Sequence, residues 1–263
     1  LASHKNCQRT KTLTMPVKWF DCHLVRTEDT SKETKRFWLE IQDENHFDFQ
    51  AGQFVTMDLP VGEKRLQRWR SYSIANPPDG SNLLEFCIVH LDGGLATQYL
   101  FDVAKPGTNI RFKGPDGAFV LPEKIEKDLV FICTGTGVAP FRSMIQDLHR
   151  KNLPHQNIHL IFGTRWKDGI LYREEFETLA QTMPGFRYSV ALSREEELPP
   201  DGQNMEFRRG YVHQFYLENY AGKPLTDVDF YICGWSKMID EAVANLLLKL
   251  GCERSQIKYE LYG

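Results

Sequence analysis

Between residues 17 and 121 apolar and polar positions mostly alternate. Phe37, Leu39 and Ile41 alternate with Arg36, Trp38 and Glu40. Val55, Met57 and Leu59 alternate with Phe54, Thr56 and Asp58, and Leu84, Phe86 and Ile88 with Glu85, Cys87 and Val89. A period of two sets each group on one face of a strand. Turn signals separate the runs: Ala51-Gly52, Pro77-Pro78-Asp79-Gly80, Asp92-Gly93-Gly94, Lys105-Pro106-Gly107 and Pro115-Asp116-Gly117. Short strands with regular turns predict a small antiparallel β-barrel of Greek-key type.

From residue 127 the pattern changes. Continuous apolar runs over 129–133, 158–163, 186–192, 229–233 and 257–262 predict buried strands. Helical stripes lie between them. Phe141, Met144, Ile145 and Leu148 form one, and Phe176, Leu179, Ala180 and Met183 a second, within 171–183. A short helix is expected over 211–220. A long one starts after Ser236 as N-cap, with Ile239, Val243, Leu246, Leu247 and Leu250 inward, and stops at Gly251. Strand–helix alternation predicts a parallel sheet covered on both faces. Two domains are therefore expected: a barrel over 16–123 and an α/β nucleotide-binding domain over 124–263. Residues 1–15 are polar and without period. They are expected to be a disordered lead or residues added upstream, a trimmed organelle transit segment being the weaker alternative.

Candidate chemistry collects where ligands bind such sheets, at the carboxyl ends of the strands. Thr134-Gly135-Thr136-Gly137 breaks a strand and opens a helix with Pro140 near its start. Unpaired backbone N–H groups at a helix start receive phosphate, although the same turn also serves as a plain tight connection. Gly163-Thr164-Arg165, Ser193-Arg194 and Cys233-Gly234 fall at equivalent ends. In the first half, Arg70 and Tyr72 share one strand face and Ser71 and Ser73 the other. A guanidinium clamps phosphate and an aromatic stacks on a flat ring; an ordinary barrel strand with a surface arginine reads the same way. Asp92-Gly93-Gly94, running on to Thr97, is either a second anion seat or a hairpin turn.

Net charge is −3, which gives no footprint for nucleic acid, and no apolar run approaches membrane-spanning length. The six cysteines include no CxxC, so no metal or iron–sulfur site is expected, and a reducing compartment fits them. The expected location is the cytoplasm, or an organelle matrix.

Taken together, these motifs resemble the ferredoxin–NADP reductase family over residues 17–262. Arg70-Ser71-Tyr72-Ser73 is similar to the family's flavin motif. The resemblance implies that Arg70 meets the pyrophosphate of FAD, Tyr72 packs on its ring and Ser73 bonds near N5. Gly94 and Thr97 match the element that seats the same pyrophosphate. Gly135, Thr136, Gly137 and Pro140 match the nicotinamide-nucleotide loop, and Cys233-Gly234 the pair beside the nicotinamide. Glu260-Leu261-Tyr262 is similar to the tail whose aromatic covers the flavin and whose acid lies near the hydride path; Gly263 comes after it here. Ser193-Arg194-Glu195 resembles the Ser-Arg-Glu run that holds the 2′-phosphate in NADP-dependent members, and Arg165, at its own strand end, is expected to bind cofactor as well. Against NADP, Glu195-Glu196-Glu197 suits a free ribose diol; Arg208-Arg209 offers substitute cations.

The resemblance implies hydride transfer from NADPH, or NADH, to FAD, with Ser73, Cys233 and Glu260 innermost. Electrons would pass on to a separate carrier, ferredoxin or flavodoxin; the basic cluster Lys64, Arg65, Arg68 and Arg70 is either its docking face or a solvated surface with one phosphate contact. A monomer is expected. The alternatives are the NADH-dependent reductase component of an oxygenase, and a flavin-binding sensor module that does not turn over.

Overall fold

A computed structural model describes residues 18–262; the expected lead, 1–15, and Gly263 lie outside them. The first half carries β1 (Trp19–Asp29), β2 (Thr34–Ile41), β3 (Phe54–Asp58), β4 (Trp69–Ser73), β5 (Leu83–Val89) and β6 (Asn109–Asp116). They pair antiparallel in the order β4-β3-β6-β1-β2-β5. The Ala75 N–H donates to the Glu85 carbonyl at 2.8 Å, which brings the exit of β4 onto β5 and closes the barrel. Two short helices interrupt the barrel, α1 (Arg65–Arg68) and α2 (Leu95–Gln98), the latter running into a π-helical turn (Tyr99–Val103).

The alternating apolar set of β2, β3 and β5 fills the barrel, as the period of two requires. The opposite set is not uniformly wet. Trp38 is buried beneath the guanidinium groups of Arg26 and Arg36, 3.8 and 4.6 Å from its ring centre. Glu85 and Cys87 are buried because this face of β5 meets the second half of the chain.

That half holds β7 (Asp128–Thr134), β8 (Ile158–Thr164), β9 (Phe186–Leu192), β10 (Met205–Arg209), β11 (Val228–Trp235) and β12 (Ile257–Tyr262). All run parallel, in the order β10-β9-β8-β7-β11-β12. α3 (Ala139–Lys151) and α4 (Arg173–Thr182) cover one face, α5 (His213–Tyr220) and α6 (Ser236–Leu248) the other. Leu129, Phe131 and Cys133 of β7 point to the first face, Val130 and Ile132 to the second. Sequence periodicity misses β10, an edge strand in which Phe207 alone is fully buried among charged neighbours. It also misplaces one cap: Trp235 is the extended residue before α6, and Ser236 is its first helical residue, without a capping bond.

From β7 the chain winds outward through β8 to β10, then crosses back to β11. The carboxyl ends of β7 and β11 therefore flank a topological switch point, where such sheets open a crevice.

Candidate active site

At that crevice β7 ends in Thr134, and Gly135–Val138 makes one 3-10 turn before α3. Pro140 is the second residue of α3, where its missing N–H breaks no helical bond. Gly135 has φ +53° and open space where a side chain would start, so its backbone stays approachable. Gly137 serves a different end: a Cβ there would run into the Cys233 carbonyl. The turn thus lies backbone to backbone on the end of β11. Gly234 answers it with φ +148°, where a Cβ would lie 2.6 Å from Thr134 Oγ1.

β12 adds its tail in register, Cys233 beside Glu260 and Trp235 beside Tyr262. Across the cleft Ser73, the last residue of β4, donates from Oγ to Glu260 Oε2 at 3.1 Å. One hydrogen bond thereby joins residues 187 positions apart and brings barrel and sheet together. Burial raises the Glu260 carboxyl to about 7, against the opposing pull of the Ser73 bond. Burial, with Glu260 nearby, also pushes the Cys233 thiol well up, so it stays protonated and is not a nucleophile. Ser73, Cys233 and Glu260, expected innermost, do come together.

Arg70 and Tyr72 share a face opposite Met57 and Val55 of β3. Arg70 donates through Nη1 to the carbonyls of Leu66 and Trp69 at 2.6 and 2.7 Å, which holds it near α1. Tyr72 packs against the barrel core. Gly94 precedes α2, and the buried Thr97 turns its hydroxyl inward. It accepts from the Leu91 N–H at 3.1 Å and donates to the Gly94 carbonyl at 3.1 Å. Its side chain locks the turn, leaving backbone N–H groups as the donors there.

At the ends of β8 and β9, Ser193 N–H donates to the Thr164 carbonyl and Arg194 N–H to the Arg165 carbonyl, both at 3.0 Å. Arg165 and Arg194 are thus neighbours, and both are exposed. Glu195, expected to oppose an anion, is buried and accepts the Lys167 N–H at 2.9 Å. Arg208 is held by Glu206 and Glu218, while Arg209 lies on β10 beside Leu192.

The residues fit two nucleotides with flat rings. The hydroxyl of Thr134 is buried at the crevice without a hydrogen-bond partner among the described residues, a group that a ligand there would satisfy. Periodicity missed Arg142, Glu85, Tyr172 and Glu175: Arg142 and Glu85 join the two halves by a buried ion pair, the Tyr172 hydroxyl donates to Glu85, and Glu175 holds Arg142 from within the second half. Their only local signal was an acid and an arginine inside apolar patterns.

Two family models match, described as an oxidoreductase FAD-binding domain over residues 21–121 and an oxidoreductase NAD-binding domain over 131–244. The chain is 32% identical to ferredoxin–NADP reductase B of Sorangium cellulosum, covering 92% of this chain and 97% of that one. It is 30% identical to the phenol hydroxylase P5 protein of Acinetobacter pittii, across 88% of this chain and 62% of that longer protein. The crystal structure of the Amycolatopsis cytochrome P450 reductase GcoB superposes with a TM-score of 0.79 at 27% identity, covering 94% of this chain and 71% of that one.

Proposed function

The chain belongs to the ferredoxin–NADP reductase family of FAD- and NAD(P)-binding oxidoreductases, and from that premise we propose that NADPH is its donor and a small acidic carrier, ferredoxin or flavodoxin, its acceptor. The observation that carries the choice of donor is that the exposed Arg165 and Arg194 are joined backbone to backbone beside Ser193, with Arg165 Nη1 3.9 Å from Glu33 of the barrel, while Glu195 turns away. Two guanidinium groups and a hydroxyl suit a dianionic phosphate.

Bound here, FAD would supply an acceptor for hydride from the reduced nicotinamide and a donor of single electrons. The chain's own residues supply position and proton control. Gly135, Thr136, Gly137 and the start of α3 up to Pro140 offer N–H groups to the nicotinamide nucleotide's phosphates, and Gly234 lets the turn lie close. Arg70, with Gly94 and the N–H groups around Thr97, holds the flavin's pyrophosphate. Tyr72 and Tyr262 offer rings to the flavin. Cys233, buried beside Glu260, would bound the nicotinamide's side of the crevice. Ser73 Oγ and the Glu260 carboxyl form a two-residue proton path, with Glu260 able to hold or release a proton near neutrality. The division near residue 123 falls between β6 and β7.

For the acceptor, Lys64, the residue before α1, and Arg65, its first residue, are exposed, with Leu66 projecting beside them. Arg68 contributes less, since Asp58 holds it from two oxygens at 2.8 and 3.0 Å. The likeness to the phenol hydroxylase P5 protein favours a second reading, a reductase component serving an oxygenase.

Steady-state kinetics with each nucleotide, with and without added ferredoxin or flavodoxin, tests both choices. Arg165→Ala and Arg194→Ala should each lower kcat/KM for NADPH about 10-fold, one lost charge-assisted contact, and leave NADH unaffected. Equal losses with both nucleotides would defeat the NADPH assignment. Faster turnover with NADH and an oxygenase component than with any carrier would establish the second reading.

A further inference from the structure

The proposed transfer site takes its walls from two different sheets, so its working distance depends on how those sheets are held. The bond from Ser73 to Glu260 is one tie. A larger one is centred on Arg142, in the first turn of α3, directly behind the glycine turn. Its guanidinium is buried and divides its donors between the two halves of the chain. Nη1 donates to the Ala75 carbonyl and to Glu85 Oε2, both at 3.0 Å. Nε and Nη2 donate to the Glu175 carboxylate of α4, each at 2.8 Å. Ala75 lies two residues beyond Ser73.

The far end is anchored as firmly. Glu85 Oε1 accepts from Arg36 Nε at 2.7 Å and from the Tyr172 hydroxyl at 2.9 Å. Ser143, next to Arg142, donates to the Asn76 carbonyl at 2.7 Å. A buried ion network is a poor device for stability alone, because apolar groups of similar shape serve as well or better. What it provides is direction. A planar guanidinium can satisfy acceptors on two edges at once, which an ammonium cannot.

We propose that Arg142 is a positioning residue for electron transfer: by bridging α3 to the exit of β4, it sets the spacing between Ser73 and the nicotinamide turn at Gly135–Gly137. This rests on the reading of Ser73, Glu260 and that turn as the walls of the transfer site. Arg142 touches neither nucleotide in this arrangement; it acts through the two backbones it joins.

The test is anaerobic stopped-flow reduction of the FAD-loaded, full-length protein by NADPH. Arg142→Lys keeps the charge but cannot span both sides. Its limiting rate should fall about 10- to 100-fold, the cost of a displacement of roughly 1 Å, while FAD content and the KM for NADPH stay within about threefold of the parent, a split that misplacement at the reacting centre predicts. Glu175→Gln loosens one end of the bridge and removes no buried cation. It should lower the limiting rate several-fold at unchanged KM, and it decides the matter if Arg142→Lys does not fold. Parental rates in the folded variants, or losses confined to melting temperature, FAD content or KM, overturn the role. Ser73→Ala and Glu260→Gln are measured beside them. Parental rates in those two remove the site reading and this role with it; slow rates there with parental rates in the bridge variants overturn the positioning role alone.

Discussion

Glu260 is held in an environment that penalises its charge. Its carboxyl, raised from an ordinary 4.5 to about 7, keeps a proton that the unfolded chain gives up at lower pH. Between those two values the native state binds more protons, so stability falls as pH rises from 4.5 to about 7 and is level above. Glu260→Gln removes that dependence. By linkage the variant should be about 3 kcal/mol more stable than the parent at pH 8 and nearly equal at pH 4.5, as read by urea unfolding at both pH values. The same variant should reduce its flavin several-fold more slowly with FAD still bound, and its rate should lose any inflection near neutrality. Stopped-flow traces matching the parent at every pH would take Glu260 out of the mechanism. Ser73 works against burial, since its hydroxyl favours the carboxylate. This hydrogen bond therefore tunes Glu260 toward the pH at which a proton exchanges readily.

The strand–turn–helix unit from β7 to α3 contains two glycines with different duties. Gly135 needs its left-handed backbone but has room for a methyl group. Gly137 needs the room, because the end of β11 occupies the space a side chain would take. Gly135→Ala should cost about 1 kcal/mol, the penalty for a side chain in that conformation. Gly137→Ala should cost about 1–3 kcal/mol through overpacking. It should also raise the KM for NADPH, because the turn must lift away from Cys233 and Gly234. Guanidinium denaturation of both variants settles the order, and a costlier Gly135→Ala would mean that the close approach to β11 is not what constrains the turn. The same logic explains why α2 needs Gly94: a Cβ there would lie 2.8 Å from Thr97 Oγ1, the atom that locks the turn.

At the scale of the molecule, the barrel and the parallel sheet share an interior. Ala75, Cys87 and Phe119 of the first half belong to the same apolar cluster as the residues of α3 and α4. Glu85 is the polar centre of that junction. Burial alone would raise its carboxyl, but the Arg36 hydrogen bond and the charges of Arg142 and Arg36 prevail and hold it below the usual range. Its contribution is therefore present above the ordinary carboxylate value and lost as pH falls through the lowered one. Glu85→Ala takes from the buried Arg142 and the half-buried Arg36 the carboxylate they share, at a cost of about 3–5 kcal/mol. Calorimetry should then show one thermal transition in the parent and two in the variant, the halves melting separately. A single sharp transition in both would mean that the apolar contacts suffice to couple them.

Local pattern alone determined most of the elements. The strands at Phe186–Leu192 and Ile257–Tyr262 lie where their apolar runs begin and end, and the glycine turn sits between strand and helix as its residues require. These are properties of neighbours in the chain, set by a period or by the backbone freedom of one residue. Partnership is another matter. Arg142 and Glu85 are 57 positions apart, and nothing near either shows that β5 turns its second face to a helix of the other half. Nor does the acidic run betray that Glu195 folds inward onto the Lys167 N–H. Periodicity tells which side of an element avoids water; only the packed chain decides which charge waits on the other side, because a buried ion pair forms between groups that sequence leaves far apart.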